Sequence, residues 1–245
     1  MISYGKTDIG MIRSINQDSI FFSDKNIGNL PNLYIVADGM GGHQAGDYAS
    51  AHAVTWFVDY VKTCRYKNPI TILKTGIAKI NDMLLKRAEE NSEMRGMGTT
   101  FVAAVIMADK LYVANIGDSR LYVLSAEEAR QITLDHSLVE ELIRTGQLER
   151  RKVRFHPEKN IITRALGTSH EAIPDFFEIT LSKSEKILLC SDGLTNMVED
   201  DEIKDIVMQK QFVDKICDEL IDRANYYGGK DNIGVVVIEQ AFNEV

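Results

Sequence analysis

Three apolar runs follow one another with almost nothing between them: Thr99–Met107 (TTFVAAVIM), Lys110–Ile116 (KLYVANI) and Arg120–Leu124 (RLYVL). Their β-branched and aromatic content marks them as strands. The joins, Ala108-Asp109 and Gly117-Asp118-Ser119, are short. Parallel neighbours need a crossover of about a dozen residues or more, so these strands must turn straight back. The reading is an antiparallel meander.

Further strand-like runs stand at Ser19–Ser23 and Leu33–Ala37 before it, and at Phe176–Leu181, Lys186–Cys190 and Ile233–Glu239 after it. Helices fill the intervals. Ala49, Ala53, Phe57 and Val61 share one face of a helix over residues 44–63. Leu73, Ile77, Ile80 and Leu84 do the same after Pro69. Two more amphipathic helices are expected near 200–209 and 212–226, and residues 136–170 read as irregular. Helices segregated from runs of hairpins indicate an α+β fold rather than βαβ alternation. The pattern leaves one sheet or two open. No repeat, low-complexity tract or linker divides the chain, so residues 1–245 are expected to form a single domain.

Four strong strands carry an aspartate at one end with glycine close by. They are VADG (Asp38), VANIGD (Asp118), LLCSDG (Asp192) and GGKDNIGVVV (Asp231). One Asp-Gly at a strand end is an ordinary turn. Four of them, on strands whose neighbours run antiparallel, could converge on one edge. Converged carboxylates repel unless they share protons or bind cations. Oxygen ligands, with neither cysteine nor a histidine pair at ligand spacing, point to Mg²⁺ or Mn²⁺ rather than Zn²⁺. Two such ions about 3.5–4 Å apart are a common device for displacement at phosphorus. The stretch RSINQD adds Asp18, which could reach the same edge from just ahead of a strand. It also adds Arg13, read either as a plain surface residue or as a guanidinium that grips two phosphate oxygens.

Charge narrows the partners. With 28 Lys+Arg against 36 Asp+Glu the net charge is −8, which argues against nucleic acid, because phosphate backbones reward basic surfaces. The cluster Arg150-Arg151-Lys152-Val153-Arg154 stands apart. It is a solvated loop or, beside a phosphate site, a surface that attracts phosphorylated substrates. Runs such as FVAAVIMA are too short to span a bilayer, and MISYGKTDIG lacks a signal-peptide layout. No membrane association and a cytoplasmic location are expected. Three scattered cysteines, Cys64, Cys190 and Cys217, fit neither a disulfide framework nor a zinc knuckle.

Other motifs dissolve on inspection. In YIVADGMGGHQAG a dinucleotide fingerprint starting at Gly39 would need glycine where Gln44 stands. A P-loop starting at Gly41 fails at Asp47-Tyr48. Cys217 and Arg223 have cysteine-phosphatase spacing, but acidic residues fill the gap and Val213, Cys217, Leu220 and Ala224 follow a helix. Cys217 is read as core. His43 has two open readings, a proton donor to a leaving oxygen or a partner for a neighbouring carboxylate. His136, His156 and His170 have no legible partner.

Taken together, RSINQD, VADGMGGHQAG, GMGTTFVAAV, VANIGDSRLYVL, ITLDHS, NIITRALG, LLCSDGLTN and GGKDNIGVVV span nearly the whole chain. In this order they resemble the compact bacterial members of the protein phosphatase 2C family, which are metal-dependent serine/threonine phosphatases. The resemblance implies two packed antiparallel sheets flanked by helices on both sides, an α-β-β-α sandwich, with a flap near 136–170. It implies two Mn²⁺ or Mg²⁺ ions bridged by Asp38, with the Gly39 carbonyl on one and Asp192 and Asp231 on the other. Asp18 would hold a metal-bound water, and Asp118 would share a third, looser metal with Asp192. Arg13 would grip the substrate phosphate while metal-bound water or hydroxide attacks phosphorus in line. The implied partners are phosphoserine and phosphothreonine proteins and a cognate serine/threonine kinase. Two positions depart from common family patterns. Met40 stands where eukaryotic relatives place the histidine proposed as general acid, which leaves His43 as the candidate, and neutral Gln17 replaces a glutamate. Competing readings are a phosphate-sensing domain with a decayed site, disfavoured because Asp38, Asp192 and Asp231 all remain, and a two-metal nuclease, disfavoured by charge.

Overall fold

The computed structural model describes residues 1–41 and 45–240. In chain order its strands and helices are β1 (Ile2–Asp8), β2 (Asp18–Ser23), β3 (Leu33–Met40), α1 (Ala45–Thr63) and α2 (Pro69–Glu90). Then come β4 (Gly98–Thr99), β5 (Phe101–Met107), β6 (Lys110–Ile116), β7 (Arg120–Leu124), β8 (Ala129–Gln131) and α3 (Leu138–Arg144). The chain continues through β9 (Asp175–Thr180), β10 (Lys186–Cys190), the single turn α4 (Asp192–Thr195), α5 (Asp200–Val207), α6 (Val213–Tyr226) and β11 (Ile233–Glu239). Among the described residues no helix is long and apolar enough to cross a membrane.

Two antiparallel sheets pack face to face. One has the order β1-β11-β10-β7-β8, and the other β2-β3-β5-β6-β9 with β4 paired to β3. The period-two alternation of each strand sorts its side chains into layers. On β3, Leu33, Ile35 and Ala37 face α1 and α2, joined by Phe57, Ile77 and Phe101. Tyr34 and Val36 point the other way, into a middle layer with Val102, Val113, Leu189 and Val236. On the far side Leu188, Val235 and Val237 pack against Ile216 and Leu220 of α6. Each such fully buried side chain contributes about 1.5–3 kcal/mol. The result is the α-β-β-α sandwich that the family resemblance implied.

Local chemistry sets the boundaries. Helix α2 starts at Asn68, whose side chain accepts the Thr71 N–H, with Pro69 in the first turn. Within the segment read as irregular, α3 begins where Ser137 accepts the Glu140 N–H. Ser-x-x-Glu is the sequence half of a capping box and was legible there.

The three-strand meander is corrected. β5 and β6 pair as read, from Phe101↔Ile116 to Met107↔Lys110, but β7 leaves for the other sheet and pairs with β10 and β8. The switch occurs at Gly117-Asp118-Ser119. Gly117 has φ +112°, and a Cβ there would lie 2.6 Å from the Thr100 side chain. Only glycine suits both demands, and the bend carries the chain from one sheet to the next. The run Thr99–Met107 also divides, Thr99 belonging to β4 and Phe101 opening β5.

The backbone packs very closely where α4, at the end of β10, meets the start of the neighbouring strand β11. A Cβ on Gly193 would sit 1.9 Å from the Asn232 carbonyl oxygen. Gly193→Ala should therefore force the two apart and cost about 1–3 kcal/mol. Urea denaturation monitored by circular dichroism checks this, and an unchanged midpoint would refute the packing argument.

Candidate active site

Strands β2 and β3 set Asp18 directly opposite Asp38. Like charges in such a pair repel, and the other sheet adds more. Asp192 opens α4 after β10, Asp231 precedes β11, and Asp118 sits in the bend between sheets. Burial first, then the charges of Asp18, Asp192, Asp118 and Asp231, push the Asp38 carboxyl well above the usual range. One group thus feels four others, and the predicted aspartates do converge.

Their neighbours respond alike. Burial, Asp192 and Asp231 raise Asp18 to about 7 against the pull of Ser191. Burial and Asp231 raise Asp192 to about 6, opposed by Arg120 and Lys159. Burial, then Asp192 and Asp135, raise Asp118 well above its ordinary value.

Hydrogen bonds hold this repulsive group in place. The Asp38 N–H donates to Thr100 Oγ1 at 2.8 Å. The Asp38 carbonyl accepts from Thr99 Oγ1 and from the Thr100 N–H, each at 2.9 Å. The Gly39 N–H donates to the Gln17 carbonyl at 3.0 Å. Glycine is required at 39, because a Cβ would lie 2.0 Å from the Gly46 carbonyl oxygen. Ser191 Oγ donates to Asp18 Oδ2 at 2.6 Å, and Asn196 Nδ2 donates to Asp192 Oδ2 at 2.8 Å. Among the described residues, three carboxylate oxygens of this group are buried without a hydrogen-bond partner: Asp18 Oδ1, Asp118 Oδ1 and Asp192 Oδ1.

Arg13 reaches the cluster from the β1–β2 loop. Asn232 pins that loop, accepting the Gln17 N–H and donating to the Ile9 and Ile15 carbonyls. Arg13 Nη2 bonds Asp231 Oδ2 at 2.8 Å. Both side chains are partly exposed, so the pair is worth about 0–1 kcal/mol and is easily exchanged.

Beside Asp118 and Asp192 opens a cavity of about 510 Å³, bounded by Arg120, Asp135, Glu140 and Lys159 among others. Arg120 forks onto Asp135 at 2.7–3.0 Å. His136, which had no partner in the sequence reading, is buried next to Asp135. Its Nδ1 accepts the Gly117 N–H at 3.1 Å, so the ring proton lies on Nε2, 3.1 Å from Asp175 Oδ2. Burial holds its pKa below the ordinary histidine range. It thereby buttresses the bend that carries Asp118. In the basic cluster, Arg150 pairs with Glu140 of α3 at 2.8 Å and Lys152 with Glu149 at 3.0 Å.

Asp18, Asp38, Gly39, Asp118, Asp192, Asp231 and Arg13 are therefore gathered at one edge, while His43 lies outside the described residues. Cys217 is a buried core residue of α6, its thiol pushed up to about 12 by burial. Sequence reasoning passed over Ser191, Asn196, Thr100, Asn232 and His136. Ser191 and Asn196, near Asp192 in SDGLTN, and Asn232, next to Asp231 in KDNIG, had a signal in their neighbours; Thr100 and His136 had none. Among the described residues no three His, Cys, Asp or Glu side chains are already placed together to hold a metal ion. The aspartates offer bare oxygens rather than a finished coordination shell. The fit to a hard cation rests on those bare, buried, mutually repelling oxygens.

Comparison with known proteins agrees. The family model for protein phosphatase 2C matches residues 10–233. A serine/threonine phosphatase (stp) of Listeria welshimeri is 42% identical over 241 residues, covering 96% of this chain and 94% of that one. The crystal structure of serine/threonine phosphatase Stp1 from Staphylococcus aureus superposes with a TM-score of 0.92 at 34% identity, over 99% of this chain and 96% of that one. The catalytic domain of the serine/threonine phosphatase PstP, solved in complex with two manganese ions, gives a TM-score of 0.85 at 30% identity, over 96% of each chain. With fold, edge and motifs in common along nearly its whole length, the chain belongs to the protein phosphatase 2C family of metal-dependent serine/threonine phosphatases.

Proposed function

We propose that the chain, acting as one catalytic domain, hydrolyses phosphoserine and phosphothreonine in proteins at a pair of Mn²⁺ or Mg²⁺ ions and opposes a serine/threonine kinase. The observation that carries the cation pair is the set of buried, partnerless oxygens on Asp18, Asp118 and Asp192 around a crowded Asp38. The two manganese ions of the PstP structure support the number. In this reading Asp38, the Gly39 carbonyl, Asp192 and Asp231 would hold the two ions, and Asp18 would order a water beside them. Asp118 and Asp192 offer a third, looser position.

Bound there, the ions would supply an activated water and positive charge for the phosphoryl oxygens. The remaining work falls to the chain itself. Arg13 exchanges Asp231 Oδ2 for the substrate phosphate, since its fork suits either anion. Asn232 holds the Arg13 loop so that the guanidinium stays over the edge. Thr99 and Thr100 fix the Asp38 backbone against the repulsion of its neighbours. His43 donates the proton to the departing serine or threonine oxygen.

Two measurements follow. Turnover of a phosphothreonine peptide and of p-nitrophenyl phosphate should require Mn²⁺ or Mg²⁺ and stop in EDTA, and Asp38→Asn should lower kcat by at least about 10²–10³-fold. Turnover without metal, or full activity in Asp231→Asn, would refute the mechanism. The second measurement concerns stability against pH. Asp18 and Asp192 titrate near 7 and near 6 when folded, against 3.8 ordinarily. Between about pH 4 and 7 the folded state therefore binds more protons than the unfolded, and stability falls as pH rises. The Tm of the metal-free chain should drop from pH 5 to pH 8, and Mn²⁺ should raise it more at pH 8 than at pH 5. A flat profile, or equal increments at both pH values, would contradict the crowding.

A further inference from the structure

Ser191 is fully buried immediately before α4. Its Oγ accepts the Gly234 N–H at 2.8 Å, and its own backbone N–H donates to the Gly234 carbonyl at 3.0 Å. Strand β11 thus grips it twice. A hydroxyl has a single proton to give, and here it goes to Asp18 Oδ2 at 2.6 Å, across to the opposite sheet. Gly234 leaves room for this contact, since a Cβ there would lie 3.2 Å from Asp18 Oδ2 and 3.5 Å from Ser191 Oγ. Among the described residues Asp18 Oδ1, also buried, has no hydrogen-bond partner.

The same device recurs one turn along. Asn196 Nδ2 donates to Asp192 Oδ2 at 2.8 Å, and Asn196 Oδ1 accepts Lys159 Nζ at 3.0 Å. The two bonds together fix which end of the amide faces the carboxylate. Asp192 Oδ1, like Asp18 Oδ1, is buried and bare.

Both donors are neutral. An arginine or lysine in either place would cancel the carboxylate charge and compete with a cation for it. A hydroxyl or an amide instead favours the ionised form, fixes its orientation and leaves its charge unspent. We propose that Ser191 and Asn196 are positioning residues of the cation site, each immobilising one oxygen of an aspartate and leaving the sister oxygen bare for a divalent ion or its water. This inference rests on the cation site proposed above. The bland alternative is that these bonds only tie α4 to the two sheets, in which case removing them acts independently of the aspartates.

A double-mutant cycle separates the two. Calorimetric titration of the metal-free chain with MnCl₂ gives dissociation constants for wild type, Ser191→Ala, Asp18→Asn and the double variant. Loss of a hydrogen-bond partner to a ligand typically weakens metal binding about 10–100-fold. Ser191→Ala should do so in the wild-type background, but by less than about twofold once Asp18 is asparagine, because the interaction acts through that side chain. Asn196→Ala, at a partly exposed position, should weaken Mn²⁺ binding by at least about tenfold, and it decides the matter if Ser191→Ala does not fold. Unchanged affinity in these variants, or an equal loss from Ser191→Ala in both backgrounds, overturns the proposal. A wild-type chain that binds no Mn²⁺ overturns the cation site itself, and this proposal with it.

Discussion

Asp18 and Asp38 stand opposite one another at the end of a β ladder, and the structure is arranged around keeping them there. Two ionised carboxylates in register would push the strands apart if nothing else acted. Here the second sheet adds Asp192 and Asp231, and the bend between sheets adds Asp118, so the repulsion is multiplied rather than relieved. The scaffold tolerates it because the strands behind are bound by three apolar layers. Fold stability held in those layers sustains a concentrated negative charge at one edge. Such an edge suits a divalent cation and an anionic substrate brought in with it.

The sandwich also explains why the aspartates meet at all. Each strand delivers its carboxylate at an end, and ends of strands in different sheets meet only where those sheets are pinned together. Around that edge Gly117, Gly193 and Gly39 allow close approaches to Thr100, to the Asn232 carbonyl and to the Gly46 carbonyl, each leaving space where a Cβ would strike a neighbouring atom. Neutral side chains do the remaining alignment: Thr100 on the Asp38 backbone, Ser191 on Asp18, Asn196 on Asp192. His136 ties the flap to the Asp118 bend through both the Gly117 N–H and its carbonyl. The segment beside the cavity and Asp118 are thereby mechanically linked.

Much of this was legible in the sequence, for definable reasons. Apolar runs such as ILLC and IGVVVIE are buried on both faces, so β10 and β11 emerged at their observed bounds. The Asp-Gly repetition at strand ends pointed to one edge because antiparallel pairing has few alternatives. The crossing at Gly117 was not legible, since alternation says which face a residue takes but not which sheet it joins. Strand β1 was hidden because one face of ISYGKTD carries only Ser3, Gly5 and Thr7, with Gly5 beneath Phe22 and Ile20, while the other mixes Ile2 and Tyr4 with Lys6 and Asp8. Ser191 and Asn196 stand near Asp192 in SDGLTN, but that nearness does not say which carboxylate each one holds. A serine bonded to an aspartate far away in the chain leaves no local pattern, and neither does a histidine held by Gly117 and Asp175.

The central claim is that the crowding of Asp38 makes a cation site, with Asp192 and Asp231 as its other protein ligands. Anomalous X-ray scattering at the manganese edge, from crystals grown with Mn²⁺, tests it most directly. The account predicts two manganese peaks at this edge, both touching Asp38 and one also touching Asp192 and Asp231. Manganese bound elsewhere, or bound at this edge with Asp38 uninvolved, would contradict it.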